Sequence, residues 1–432
     1  MLRPARLWLA SAVLGATLLF TAAVPAQNVI ERPEDIRVPD EVPKVDVPVP
    51  GQGKRTVIPV PEIIVSPTEG ITGGVLGVLL FANPDKSING IFAPDIRYNE
   101  ISGVWPTLRY FGYPDPQQKY SIVAGKATKH GDFFDGDYSA EKRLDGRVDV
   151  RLNLRRDEDP FERFYGFGNE TKDGEETNYT GTVHRIIAYA GYNVLEWLRA
   201  SFQFRFRHVR VGSGEVDDVQ NLRTSDINDV EGINGATIVG LRWGVSVDTR
   251  DRADIPTEGY FADFAVEVVD DAIGASDSFV NYGMEAKGFL PLERFVPVPK
   301  KRFVLALHTN LDYMGHGSDA PFYERNTIGG TESLRSEGRN RFTDKHRFVM
   351  QAELRSEVYR REVFGVKAHI ELAPFLDFAK VFNDTDEFPV SNLHAAGGLG
   401  VRAVVVPQVV AYVDVGTGGD TPAVFTGIDY PF

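Results

Sequence analysis

From Lys345 onward the chain alternates. Met350, Ala352, Leu354 and Val358 fall on one face of an extended segment, and Gln351, Glu353, Arg355 and Glu357 fall on the other. A period of two with one apolar and one heavily charged face suits a strand whose two sides meet lipid and a wet interior. The same alternation recurs in Phe202, Phe204 and Phe206 against Gln203, Arg205 and Arg207. No stretch carries a convincing 3.6-residue period. Mean hydropathy of −0.21 argues against membrane helices but not against a barrel, which shows only alternate residues to lipid. Just upstream, residues 328–346 (IGGTESLRSEGRNRFTDKH) are too polar and too rich in Gly, Arg and Asn to form a strand. A loop of this kind hangs outside a barrel or folds into it.

Strand segments with turn signals between them run through the chain from residue 68. Six early ones fall at 72–82, 89–101, 104–113, 118–129, 132–143 and 147–156. With those that follow, at 179–192, 196–212, 235–250, 259–271, 276–292, 300–314, 345–359, 363–382, 394–405, 408–416 and 421–432, the tally is odd. A single-chain outer-membrane barrel has an even number, so two early segments near 89–113 are expected to be one split strand. The expected fold is all-β, a transmembrane antiparallel barrel of about 16 strands.

Upstream of the strands, residues 1–26 read as an export signal: Arg3 and Arg6, a short apolar run over 7–20, and small residues at Val24-Pro25-Ala26. The run falls short of the ~20 residues that a spanning helix needs. Residues 27–66 read as an extended Pro-rich arm, with seven prolines from Pro33 to Pro61 and no helical period. Residues 67–432 read as the barrel. The sequence has no cysteine, which excludes disulfides, thiolate metal sites and cysteine nucleophiles. A net charge of −14 argues against general affinity for nucleic acid. In the last segment Val424, Thr426, Ile428, Tyr430 and Phe432 share a face, the usual form of the C-terminal signal of bacterial barrels, which hands a chain to the barrel assembly machinery.

Several blocks line up, in order, with one family. Asp248-Thr249-Arg250-Asp251 followed by Pro256-Thr257-Glu258-Gly259 resembles the D-x-R-D…P-x-x-G turn of the BamA/TamA-type outer-membrane assembly factors, the bacterial surface antigen family. Pro presets such a turn and Gly takes a conformation closed to other residues. Gly329-Gly330 with Leu334-Arg335 resembles the GG…LRG element of the family's sixth extracellular loop. Arg341-Phe342-Thr343-Asp344, Glu353-Leu354-Arg355, Phe375-Leu376-Asp377-Phe378-Ala379 and Gly398-Leu399-Gly400-Val401-Arg402 resemble the pieces that follow. Phe164-Tyr165-Gly166-Phe167-Gly168 matches a pattern of the branch without periplasmic POTRA modules. Two positions depart: Ser336 and Ala379 stand where the family has Gly.

The resemblance implies a sixteen-stranded barrel, a sixth loop folded into the lumen, and a weak seam between first and last strands. It also implies an activity of inserting barrels or moving polypeptide at the outer membrane, with lipid, lipopolysaccharide and unfolded outer-membrane proteins as partners. The seam is expected between 72–82 and 421–432, because Pro431 has no N–H and Gly427 no side chain. Within the loop, Arg335 is expected to pair with Asp377 and be steadied by Glu353. Alternation turns Glu371, Phe375 and Asp377 inward and Leu372, Leu376 and Phe378 outward. Arg355 is the competing partner for the inward carboxylates. A passive or gated pore is the second reading. A lipid-modifying enzyme is the third, with no G-x-S-x-G and eight scattered histidines (His130, His208, His316 and His394 among them) giving no catalytic or ligand spacing. No cofactor or metal is expected, and the acidic stretches Asp217-Asp218 and Asp226…Asp229-Glu231 read as solvated loop tips.

Overall fold

A computed structural model describes residues 58–83, 88–295, 302–315, 320–363, 366–387, 391–405, 409–419, 421–428 and 430–432. The expected export signal, the arm up to residue 57, His316 and Asp429 lie outside these residues. The chain is one large antiparallel meander, each long strand hydrogen-bonded to the next. Its faces are inverted relative to a soluble protein. Phe202, Trp243, Met284, Leu307, Met350, Leu376 and Val413 are exposed, whereas Gln203, Arg205, Glu285, Gln351, Glu353, Asp377 and Asp414 are buried. That is the arrangement of a barrel with an apolar outer wall and a polar interior. Trp197, Tyr192 and Tyr260 stand exposed near the short-turn end, at the level where an aromatic girdle meets a membrane interface.

The large sheet contains 20 strands among the described residues. Ile88–Phe92 and Asp95–Asn99 are two pieces of one strand, since both pair with Gly70–Ala82 and with Gly103–Asp115. Gln220–Asn221 is a short parallel appendage. Eighteen antiparallel staves remain, more than the sixteen expected. All six early segments are present as separate staves. The even number is restored by an added strand, Ile58–Ser66, rather than by a merger. This strand lies in the stretch expected to end the arm and pairs in antiparallel register with Gly70–Ala82. The Gly70–Ala82 strand is therefore second in the sheet, paired on both sides, and the seam lies between Ile58–Ser66 and Ala423–Ile428.

Connections are short at one end and long at the other. The short end carries the Leu195–Leu198 turn, while the long end carries residues 214–235 and 320–345. The 249–258 turn is one of the longer connections at the short end. Asp248 accepts from the Arg250 backbone N–H at 3.0 Å and from its guanidinium at 2.9 and 3.1 Å, and Arg250 lies 4.9 Å from the Phe261 ring. Gly259 closes the turn at φ 95°, and a Cβ there would sit 2.3 Å from the Thr249 oxygen. Only glycine fits.

Candidate functional site: a loop docked in the lumen

The 320–345 loop enters the barrel and stands on two opposite walls. Its entry is a double glycine. Gly329 has φ 119° and Gly330 φ 85°, conformations that an L side chain rarely adopts. The Gly329 N–H donates to Ser333 Oγ at 2.9 Å, and the Leu334 N–H donates to the Gly330 oxygen at 3.1 Å, curling residues 329–334 into a compact turn. That turn buries Leu334 with Ile328, Phe342, Val349, Ala379, Val381 and Ala396. Ser336 is buried without a positive φ, so the turn runs through a serine with no backbone penalty. Ala379 lines the apolar floor of this cluster.

Arg335 is fully buried and projects at the wall. Its Nε and Nη2 donate to the two Asp377 oxygens at 2.8 and 2.7 Å, and its backbone N–H donates to Asp377 at 3.1 Å. Nη1 donates to Glu353 at 2.8 Å and to Asp414 at 3.2 Å. The guanidinium lies 3.6 Å from the centre of the Phe375 ring. Arg402 joins Glu353 at 2.8 Å and also pairs with Asp414. Arg355 donates to the other Glu353 oxygen at 3.1 Å and not to Asp377. Three guanidiniums thus share three carboxylates away from water. Buried charges are tolerated in this form because each ion keeps hydrogen-bonding partners as well as opposite charge. Gly416 makes room for the approach, since a Cβ there would lie 1.9 Å from the Arg335 carbonyl oxygen.

The second foot was not foreseen. Glu324, buried in the Phe322–Glu324 turn, accepts from Arg205 at 3.0 Å and from Arg207. Arg205 also forks onto Glu267 at 2.7 and 3.0 Å. The loop therefore offers an acid to arginines on one wall and an arginine to acids on the other. Asp414 was missed as well. The available signal was a single inward carboxylate between Val413 and Val415 in an otherwise apolar strand. For Glu324 no periodic signal exists.

Beyond Arg335 the loop crosses the seam. Glu337 lies against Gly419 in the turn before the last strand. Two residues on, the Arg339 N–H donates to Thr68 Oγ1 at 3.2 Å in the turn after the first strand. Arg339 also pairs with Asp159 at 2.7 Å. Arg341 reaches the connection over residues 165–176, pairing with Asp173 at 2.6 Å and lying 4.6 Å from the Tyr165 ring. Below this strap the seam is sparse. Among the described residues the first and last strands share no backbone ladder, and the Val65 N–H donates instead to the Thr426 hydroxyl at 3.0 Å. Of the expected terminal face, Ile428 ends the last strand, while Tyr430 and Phe432 leave the sheet and turn inward.

An inside-polar, outside-apolar barrel with a loop tethered in its lumen defines a class of outer-membrane β-barrel. Residues 118–405 match the Omp85 superfamily domain, and the chain belongs to that superfamily. The fold is similar to that of BamA from Haemophilus ducreyi lacking POTRA domains 1–3, with a TM-score of 0.52 at 14% identity over 82% of this chain and 73% of that one. CdiB from Acinetobacter baumannii aligns with a TM-score of 0.43 at 11% identity, over 86% of this chain and 58% of that one. No curated protein matches the chain in sequence. Barrels of this superfamily reside in the bacterial outer membrane, where its members act as non-enzymatic transporters and assembly factors. An outer-membrane insertion or translocation role follows in general terms.

Proposed function

We propose that this chain assists the insertion or translocation of polypeptide or lipid at the outer membrane by loosening the seam between Ile58–Ser66 and Ala423–Ile428. One observation carries this reading. The loop straps the two turns above the seam together, while the strands beneath meet through the Val65–Thr426 hydrogen bond in place of a ladder. Neighbouring strands elsewhere in the wall are joined by backbone ladders, with six pairs in the last hairpin and twelve between Val280–Pro291 and Val304–Gly315. A wall with one sparse line opens there first. In this reading the long loops face outward and the short turns and residue 58 face the periplasm. Outer-membrane lipid and lipopolysaccharide surround the barrel, unfolded outer-membrane proteins are its clients, and the barrel assembly machinery inserts it. A loop anchored across the lumen through Arg335 and Glu324 argues against a passive pore.

Reconstitution in liposomes tests this directly. The purified barrel should speed the folding of an unfolded outer-membrane protein while conducting few ions. High steady conductance with no effect on folding would instead identify a pore.

A further inference from the structure

The first strand has a directional defect on its seam side. Gly77, opposite Pro59, donates its N–H to the Pro94 oxygen at 2.8 Å, away from the first strand. Pro59 and Gly77 are therefore a pair without mutual hydrogen bonds, and the Pro59 backbone faces the other way. Val65, of the same parity, turns its N–H to Thr426 on the last strand. Residues 59, 61, 63 and 65 thus face the seam, and two of them, Pro59 and Pro61, have no N–H to offer. The short-turn half of this edge cannot donate to a neighbouring strand.

Continuing the antiparallel approach from Val65 and Thr426 would set Tyr430 opposite Pro61 and Phe432 opposite Pro59. At that point the chain leaves the sheet. The Tyr430 hydroxyl donates to Glu371 at 2.7 Å, and its ring packs with Ile255, Val404 and Val410 beneath the Arg355 guanidinium at 3.6 Å. Phe432 buries itself with Phe289, Val304 and Ala306 and stacks on His308 at 5.3 Å. Its carbonyl oxygen accepts from Arg355 at 2.9 Å. Arg302 donates to the Pro256 oxygen at 3.1 Å and lies 5.7 Å from the Tyr430 ring, joining the 249–258 turn to the same floor.

We propose that Tyr430–Phe432 is a latch that closes the short-turn mouth of the barrel, diverted inward because Pro59 and Pro61 leave it no ladder to complete. The latch stands on the fold alone and holds whether the barrel moves polypeptide or ions. Arg355 ties it to the Glu353 carboxylate that also holds the loop, so the closures of the two ends meet on one residue.

A photoreactive benzoylphenylalanine at position 432, in the full chain reconstituted in phospholipid vesicles, tests where the segment lies. Adducts should map to Phe279–Pro291 or Phe303–Gly315. Adducts on residues 58–62, or none, would overturn the latch. Pro59→Val with Pro61→Val restores the two donors and should shift adducts toward 58–62; an unchanged pattern would overturn the role of the prolines. Closure has its own readout in this cysteine-free chain. Ala306→Cys should react with a bulky membrane-impermeant maleimide several-fold faster once Tyr430→Ala and Phe432→Ala are added, whereas equal rates would show that the segment covers nothing.

Discussion

The docked loop and the seam are built to opposite specifications. At its Arg335 foot the loop spends one side chain on three carboxylates, fully buried and backed by an aromatic ring. The seam joins its two strands through a hydroxyl-mediated contact, on an edge where two of the four residues facing it are prolines. Rigidity is therefore concentrated where the loop meets the wall and withheld where the barrel closes. The carboxylates at the Arg335 foot, Glu353, Asp377 and Asp414, belong to strands that precede the last one, so this foot moves with that side of the seam. Its Arg339 crosses to the other side through Thr68 and Asp159. Any opening must either break that strap or begin below it.

The contrast predicts a graded series of losses. Arg335→Ala should be the most damaging, since deleting one partner of a buried charge cluster typically costs ~3–5 kcal/mol. Urea-induced unfolding in detergent, followed by tryptophan fluorescence, would measure it. Glu324→Gln should fall toward the lower end of that range of ~3–5 kcal/mol, because Arg205 keeps its fork onto Glu267. Gly416→Ala should cost ~1–3 kcal/mol through overpacking against the Arg335 carbonyl. Raised protease access to residues 328–346 would mark the displaced loop. At the seam the scale drops. Thr426→Val removes one partly buried hydrogen bond and should cost no more than ~1 kcal/mol. A Val65→Cys, Thr426→Cys pair locked by oxidation should leave stability almost unchanged and abolish any assistance to folding of a client barrel. If the lock left that assistance intact, an opening seam would have no part in it.

The smallest effect is expected at the 249–258 turn. Burial works to raise the Asp251 carboxyl, but the Thr257 hydroxyl at 2.5 Å and the N–H groups of Thr257, Glu258 and Arg252 outweigh it and hold it below its ordinary value. A depressed carboxylate contributes stability that is present above its unfolded value and lost as pH falls through the folded one. Asp251→Asn should flatten the acid limb of the unfolding curve slightly, and Asp251 is exposed enough that solvent screening keeps the effect small.

Most of the wall was legible because lipid and lumen impose their demands residue by residue. Alternation alone turns Glu353 and Asp377 inward and Met350 and Leu376 outward. The glycine pair at 329–330 and the lone arginine after Leu334 were legible through family resemblance, and physics explains them only once the turn is seen. The Ile58–Ser66 strand was hidden by its prolines, which read as breakers. They are tolerated because each directs its missing donor away from the paired neighbour, as an edge position allows. Glu324 and the inward turn of Tyr430 depend on which walls face one another across the lumen, and no local period carries that information.

Arg335 is held inside the barrel by Asp377. A double-mutant cycle on these two residues addresses it without reference to any activity. Arg335→Ala and Asp377→Ala should each destabilise the barrel, and the double mutant should cost within ~1 kcal/mol of the costlier single, as expected for groups in direct contact. Fully additive losses, or two silent single mutants, would contradict it: the loop would then stand free of the wall, and the strap above the seam would have no anchor.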